Sequence, residues 1–186
     1  MASVFSHAFV ALSIGTCFYR ARVPKRIWVA GVACSVFPDL DVVGFRFGIS
    51  YGDFWGHRGF THSLLFAALL AGAVTLAMAA RAAPVIRRFP LFAYLFLATA
   101  SHGVLDAMTN GGLGVAFFSP LDNRRYFLPW RPIRVSPIAA TRFFTPRGFA
   151  ILQSEFLWIW LPALLFAALM LMARRAGRHS ERPAES

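Results

Sequence analysis

Ahead of the basic tail that begins at Arg174, the chain holds only six acidic residues and four histidines. Three of those acids and all four histidines fall in four short clusters: Ser6-His7, Pro38-Asp39-Leu40-Asp41, His57-Arg58-Gly59-Phe60-Thr61-His62-Ser63, and Ser101-His102-Gly103-Val104-Leu105-Asp106. His102 and Asp106 are four apart, so on a helix they leave one face a turn apart and can share an ion. Asp39 and Asp41 follow a proline two residues apart, a spacing that extended backbone would direct to one side. Thr61 stands where it would cap a helix beginning near His62. His57 lies in the loop before it, and Gly56 and Gly59 permit that loop to fold back.

Together His7, Asp39, Asp41, His57, His62, His102 and Asp106 make a mixed nitrogen and oxygen donor set. Such a set suits Zn, Mn or Fe rather than Ca. One tetrahedral Zn takes four ligands, and a catalytic one keeps a position for water. Seven candidates fit a two-metal centre better, with ions about 3.5–4 Å apart bracing both oxygens of a phosphoester displacement. One or two divalent ions, with Zn first, are therefore expected. A carboxylate off the metal, Asp39 or Asp41, would be the general base. Arg58, between the two histidines of its cluster, would orient an anionic substrate or else snorkel to headgroups.

Each of these residues has an ordinary alternative use. A histidine at a helix end can cap or sit at an interface, Asp39 and Asp41 can close a helix, and Asp106 can pair with an arginine. Ionisable groups at membrane depth are costly, however, and seven at one place mark function.

The elements that must carry them are apolar. Five segments stand out: residues 4–19, 27–37, 64–80, 91–105 and 156–173. A crossing helix needs about 20 apolar residues, with about 17 the lower limit. The third and fifth meet that alone, the first only just, and the fourth if it carries His102 and Asp106 into the interface. The second is stopped by Pro38, and a run of about 10 to 14 residues reads as a half-span or re-entrant helix. With alternating helices, His7, Asp39, His62, His102 and Asp106 all fall at one membrane face.

Composition agrees. Apolar residues make up 58% of the 186, phenylalanine alone supplies 20, and aromatics reach 16%. The mean hydropathy is +0.57. A soluble core of this size could not hide so much apolar surface. The net charge of +11 comes from arginines flanking apolar segments, which points to lipid headgroups rather than nucleic acid. Cys17 and Cys34 sit inside apolar runs and read as small buried hydrophobes. The start of the chain lacks the basic region of a cleavable signal, so its first apolar run belongs with the fold.

Arg20, Arg22, Lys25 and Arg26, then Arg81, Arg87 and Arg88, then the tail fall on one side, which the positive-inside rule makes cytoplasmic. The metal site is thus expected on the non-cytoplasmic face. The stretch 109–155, rich in Pro, Arg and aromatics, with Pro120, Pro129, Pro132, Pro137 and Pro146, reads as an irregular lid over the helix ends. Within it Asn123, Arg124 and Arg125 could hold a phosphate. Glu155 opens the last helix, where its charge suits the helix dipole. Asp53 and Asp122 have no evident partner.

The chain resembles the YdjM-like family, described as inner-membrane-associated metal-dependent hydrolases. The resemblance rests on Ser6-His7, on Pro38 to Asp41, on Gly56 to Ser63, on Ser101 to Asp106 with Thr109 and Gly112, and on Phe118-Ser119-Pro120. It covers the chain to about Pro137. The family description also carries the words "LexA-binding", for which this sequence offers no docking surface. A more distant similarity runs to zinc-dependent phospholipase C and P1-type nucleases, whose early His and HxxxD helix are matched by His7 and by His102 with Asp106. A second HxxxD element is missing.

The expected protein is all-α and polytopic, with four to five apolar helices in one domain over 1–173 and a mobile tail over 174–186. It would sit in the inner membrane with lipid as its partner, and hydrolyse phosphoesters or lipid headgroups there. A non-catalytic metal-binding or lipid-organising membrane protein is the alternative.

Overall fold

The computed structural model describes residues 1–19, 23–80, 87–136 and 145–180. Arg20, Arg22, Arg81 and Pro137, used above for sidedness and for the lid, lie outside them, as do Glu181 and Glu185. Six α-helices occur among the described residues: α1 (Val4–Phe18), α2 (Lys25–Val36), α3 (Leu64–Ala80), α4 (Arg88–Ala107), α5 (Pro146–Glu155) and α6 (Leu161–Ser180). There is no β-strand among them, only two isolated bridges, Thr109 with Ile133 and Val115 with Tyr126. This is a helical membrane protein. Mean hydropathy and length suit three helical stretches to crossing a bilayer: Lys25–Phe47, Arg88–Ala107 and Pro146–Ala176. The helices Val4–Phe18 and Leu64–Ala80 are shorter but apolar.

Helix α4 is central. Leu91, Tyr94, Leu95 and Ala98 on it close against Ala11 of α1, Ile27 and Cys34 of α2, and Ala71 of α3. In lipid no hydrophobic drive draws helices together, so small residues must let backbones approach. Gly31 of α2 does so: a Cβ there would strike the ring and hydroxyl of Tyr94. Gly15 of α1 gives the same room to Trp28.

The second apolar segment is not a short half-span. Helix α2 passes without a break into a 3-10 helix, Phe37–Phe47, so that the helical stretch Lys25–Phe47 is 23 residues long. Pro38 falls in the first turn of that 3-10 helix, where a residue without an N–H is tolerated. The proline changes the winding of the helix rather than ending it.

The lid is partly helical. Residues 109–136 are irregular, but Pro146–Glu155 is a helix, capped by the Thr145 side chain accepting from Gly148 N. A π-helical turn, Phe156–Trp160, joins α5 to α6. Helix α6 runs to Ser180, so the first part of the expected tail continues that helix. Only 6% of the most apolar stretch of Pro146–Ala176 is buried, as suits a helix that faces lipid.

Candidate metal centre

The ends of α1, α2, α3 and α4 that carry the chemical residues meet. His7, His62, His102 and Asp106 are all buried, and Asp39 nearly so. The 3-10 winding divides the two aspartates that extended backbone would have placed together. Three residues per turn set positions two apart about 240° from one another, so Asp39 and Asp41 face different partners.

Asp39 faces inward. Its Oδ1 lies 3.3 Å from His102 Nε2 and 3.9 Å from His62 Nε2. The two Nε2 atoms are 3.1 Å apart, and His62 Nε2 is 3.8 Å from Asp106 Oδ2. One donor atom from each of Asp39, His62, His102 and Asp106 can be chosen so that all lie within 4.8 Å of one another. Two ligands about 2.0 Å from a tetrahedral ion stand ~3.3 Å apart, and the closest of these separations match that spacing.

The tautomers strengthen the case. His102 Nδ1 lies 2.7 Å from the carbonyl of Ser35, an acceptor only, so it donates its proton there. His62 Nδ1 lies 3.1 Å from Thr61 Oγ1, whose own proton goes to Asp41 Oδ2, and 3.2 Å from that Oδ2, so it too donates. With both rings neutral, the two Nε2 atoms then present lone pairs to each other, an arrangement relieved by a cation held between them or by a shared proton. Outer acceptors of this kind orient metal-bound histidines. Both oxygens of Asp39 and both nitrogens of His7 are buried without a hydrogen-bond partner. A cation would satisfy such groups. Burial also pushes the His62 imidazole down to about 4, so it is neutral and free to coordinate at neutral pH.

Asp41 faces the loop. It lies 2.7 Å from His57 Nδ1 through Oδ1, and its Oδ2 accepts from Thr61 Oγ1 at 2.7 Å and from the Arg58 amide at 3.2 Å. Asp41, His57 and His62 also have donors close enough for an ion, but here the short contacts are hydrogen bonds. Asp41 thus orients two histidines. Thr61 serves Asp41 rather than capping α3; Ser63 Oγ takes the cap by accepting from Phe66 N at 3.0 Å.

Arg58, expected to face a substrate, is wholly enclosed. Its Nε donates to Asp106 Oδ2 at 3.0 Å, one terminal nitrogen to Gly111 O at 2.8 Å and the other to Thr109 Oγ1 at 2.9 Å. Its backbone takes φ 65°. Gly112, at φ 89°, lets the chain pass over the guanidinium, where a Cβ would meet Arg58 and the Tyr51 hydroxyl. The arginine holds Asp106 in place. Arg124 and Arg125 likewise spend donors on the protein: Arg124 forks onto Asp122, and Arg125 braces the loop carbonyls of Tyr51, Asp53 and His57. Asp122 therefore does have partners, and Asp53 accepts from Ser50 N.

His7 stacks on His102, ring centroids 3.7 Å apart, with its Nε2 3.6 Å from Asp106 Oδ1. It flanks the four-residue group rather than joining it. Asp106 Oδ1 also accepts the Ala2 amide at 2.7 Å.

A model of the YdjM inner membrane protein matches residues 1–179. The chain belongs to the YdjM inner membrane protein family. Within reach of that family lies inner membrane protein YbcI of Escherichia coli (strain K12), which is 39% identical over 177 residues, 94% of this chain and all of that protein. Membership and the apolar helices together make this an inner membrane protein. No solved structure matches the chain, and the distant similarity to P1-type nucleases finds no support.

One part of the site escaped the sequence reading. Glu155, read there as a helix-dipole charge, is fully buried and bonds to Ser3 and Ser6. Asp41, placed among the ligands, accepts hydrogen bonds on both oxygens and also belongs, with His57 and His62, to a second group that could hold an ion.

Proposed function

We propose that this chain is a multi-pass inner membrane hydrolase that uses a divalent cation, Zn first, on phosphoesters at the non-cytoplasmic interface. One observation carries the reading: two histidines whose tautomers are fixed from outside direct both lone pairs at a spot shared with two carboxylates. His62, His102 and Asp106 would hold the ion and leave a position for water, with Asp39 and His7 beside them and Asp41 and Arg58 as orienting groups. Such an ion supplies Lewis acidity and a bound water of lowered pKa.

The residues favour catalysis over carriage. The ligands gather where helices meet loops, whereas transporters bind near the midplane. Asp39 is the least enclosed of the four, its side chain 8% exposed against none for His62, His102 and Asp106. Water and substrate therefore approach past Asp39, whose unengaged oxygen can take the proton of an attacking water. Asp41 has no oxygen to spare for that. Substrate reaching the site from the bilayer would present a lipid headgroup.

Elemental analysis of detergent-purified protein should find about one divalent ion per chain, lost in His62→Ala and His102→Ala. A phosphodiester substrate should be cleaved by the wild type and not by either variant. Metal without hydrolysis would leave a metal-binding membrane protein, and neither would end the proposal.

A further inference from the structure

Glu155, the last residue of α5, is a carboxylate wholly enclosed by protein. Its Oε1 accepts the Ser3 amide at 2.6 Å, and its Oε2 accepts the hydroxyls of Ser3 at 2.5 Å and Ser6 at 2.8 Å. A buried charge is tolerated only when so satisfied. Ser6 Oγ also accepts from Trp160 Nε1 at 2.8 Å.

The π turn makes this clasp. Glu155 and Trp160 are five apart, which in an α-helix at 3.6 residues per turn leaves them about 140° out of line. Within Phe156–Trp160 the bonding widens to i→i+5, Leu161 N reaching Phe156 O, and residues five apart come onto one face. Both side chains then reach Ser6. Turns of this kind are frequent at functional sites.

What the clasp holds is the first turn of α1. Ser3 O accepts the amide of His7 at 3.2 Å and that of Ser6 at 2.9 Å. The residue before Ser3 gives its amide to Asp106 Oδ1 at 2.7 Å. Fixing Ser3 therefore fixes both the imidazole stacked on His102 and a hydrogen bond to a metal-facing carboxylate.

We propose that Glu155 is a positioning residue of the metal centre, acting through Ser3 and Ser6 on His7 and Asp106. This rests on the metal reading above. The test is titration of the metal-free full chain with Co²⁺ alone, followed by its visible ligand-field bands, in wild type, Glu155→Gln, Ser6→Ala and Arg174→Ala. Arg174 is the control: it joins α6 to α1 at the opposite end, donating to the carbonyls of Cys17 and Tyr19. Glu155→Gln is expected to weaken Co²⁺ binding about 10- to 100-fold and shift the bands. Ser6→Ala, which removes one of the clasping hydroxyls, should move them the same way by less, and it decides the matter should Glu155→Gln fail to fold. Arg174→Ala should bind as wild type does. Wild-type spectra and affinity in the Glu155 and Ser6 variants, or equal losses in Arg174→Ala, would overturn the positioning role. A wild type that binds no Co²⁺ would instead fail the metal reading itself.

Discussion

His62 divides its ring between two tasks, one nitrogen turned to Asp41 and the other to the lone pair of His102. That division assigns Asp41 a definite consequence. Asp41→Asn removes an acceptor from His62, His57 and Thr61 without removing a ligand. Zn²⁺ should still bind at wild-type stoichiometry, with affinity reduced about 10- to 100-fold, measured by competition with a chelator of known strength. Loss of stoichiometry, as in His102→Ala, would make Asp41 a ligand; unchanged affinity would remove it from the site. The residue types were legible in the sequence because so few ionisable groups occur in so apolar a chain. Their roles were not. Arg58 looks in sequence like a substrate contact between two histidines, and only the fold shows its guanidinium consumed by Asp106, Thr109 and Gly111.

The helices do their positioning through close approach. Ser35, whose carbonyl holds His102, lies one turn beyond Gly31 on α2, and Gly31 sits against Tyr94 of α4. Gly31→Ala should push α2 from α4 at a cost of about 1–3 kcal/mol and weaken metal retention with it. Thermal unfolding in detergent and metal content after dialysis would check this, and unchanged values in both would refute it. Most helices were readable from runs of apolar residues, which depend on composition alone. Two features were not. The passage of α2 through Pro38 depends on the proline landing in a first turn, and the π turn after Glu155 depends on α1 offering Ser6 as a shared partner. The first turns on the local winding, the second on a neighbour distant in sequence.

For the molecule as a whole, the loops above the site and the end of α6 should lie on opposite sides of the membrane. Leu121 is 95% exposed and Trp55 55%, while Cys34 is buried and Cys17 half-buried. Cysteines placed at Leu121 and Trp55 in a Cys17→Ala/Cys34→Ala background should react in intact cells with a maleimide that cannot cross the inner membrane. One placed at Arg175 should react only after lysis, and the reverse pattern would invert the topology. Charge counting is what this prediction rests on, since arginines cluster at the helix ends away from the site. The clasp between Ser3 and Glu155 spans 152 positions of sequence, and it sets an order of assembly. During synthesis the imidazoles and carboxylates of the earlier helices enter the bilayer first, and the wall bearing His7 is not locked until the segment around Glu155 has been made. On the metal reading proposed above, full affinity for the ion is thereby deferred to the last stage of insertion, and a nascent chain halted before that segment would hold it about 10- to 100-fold more weakly.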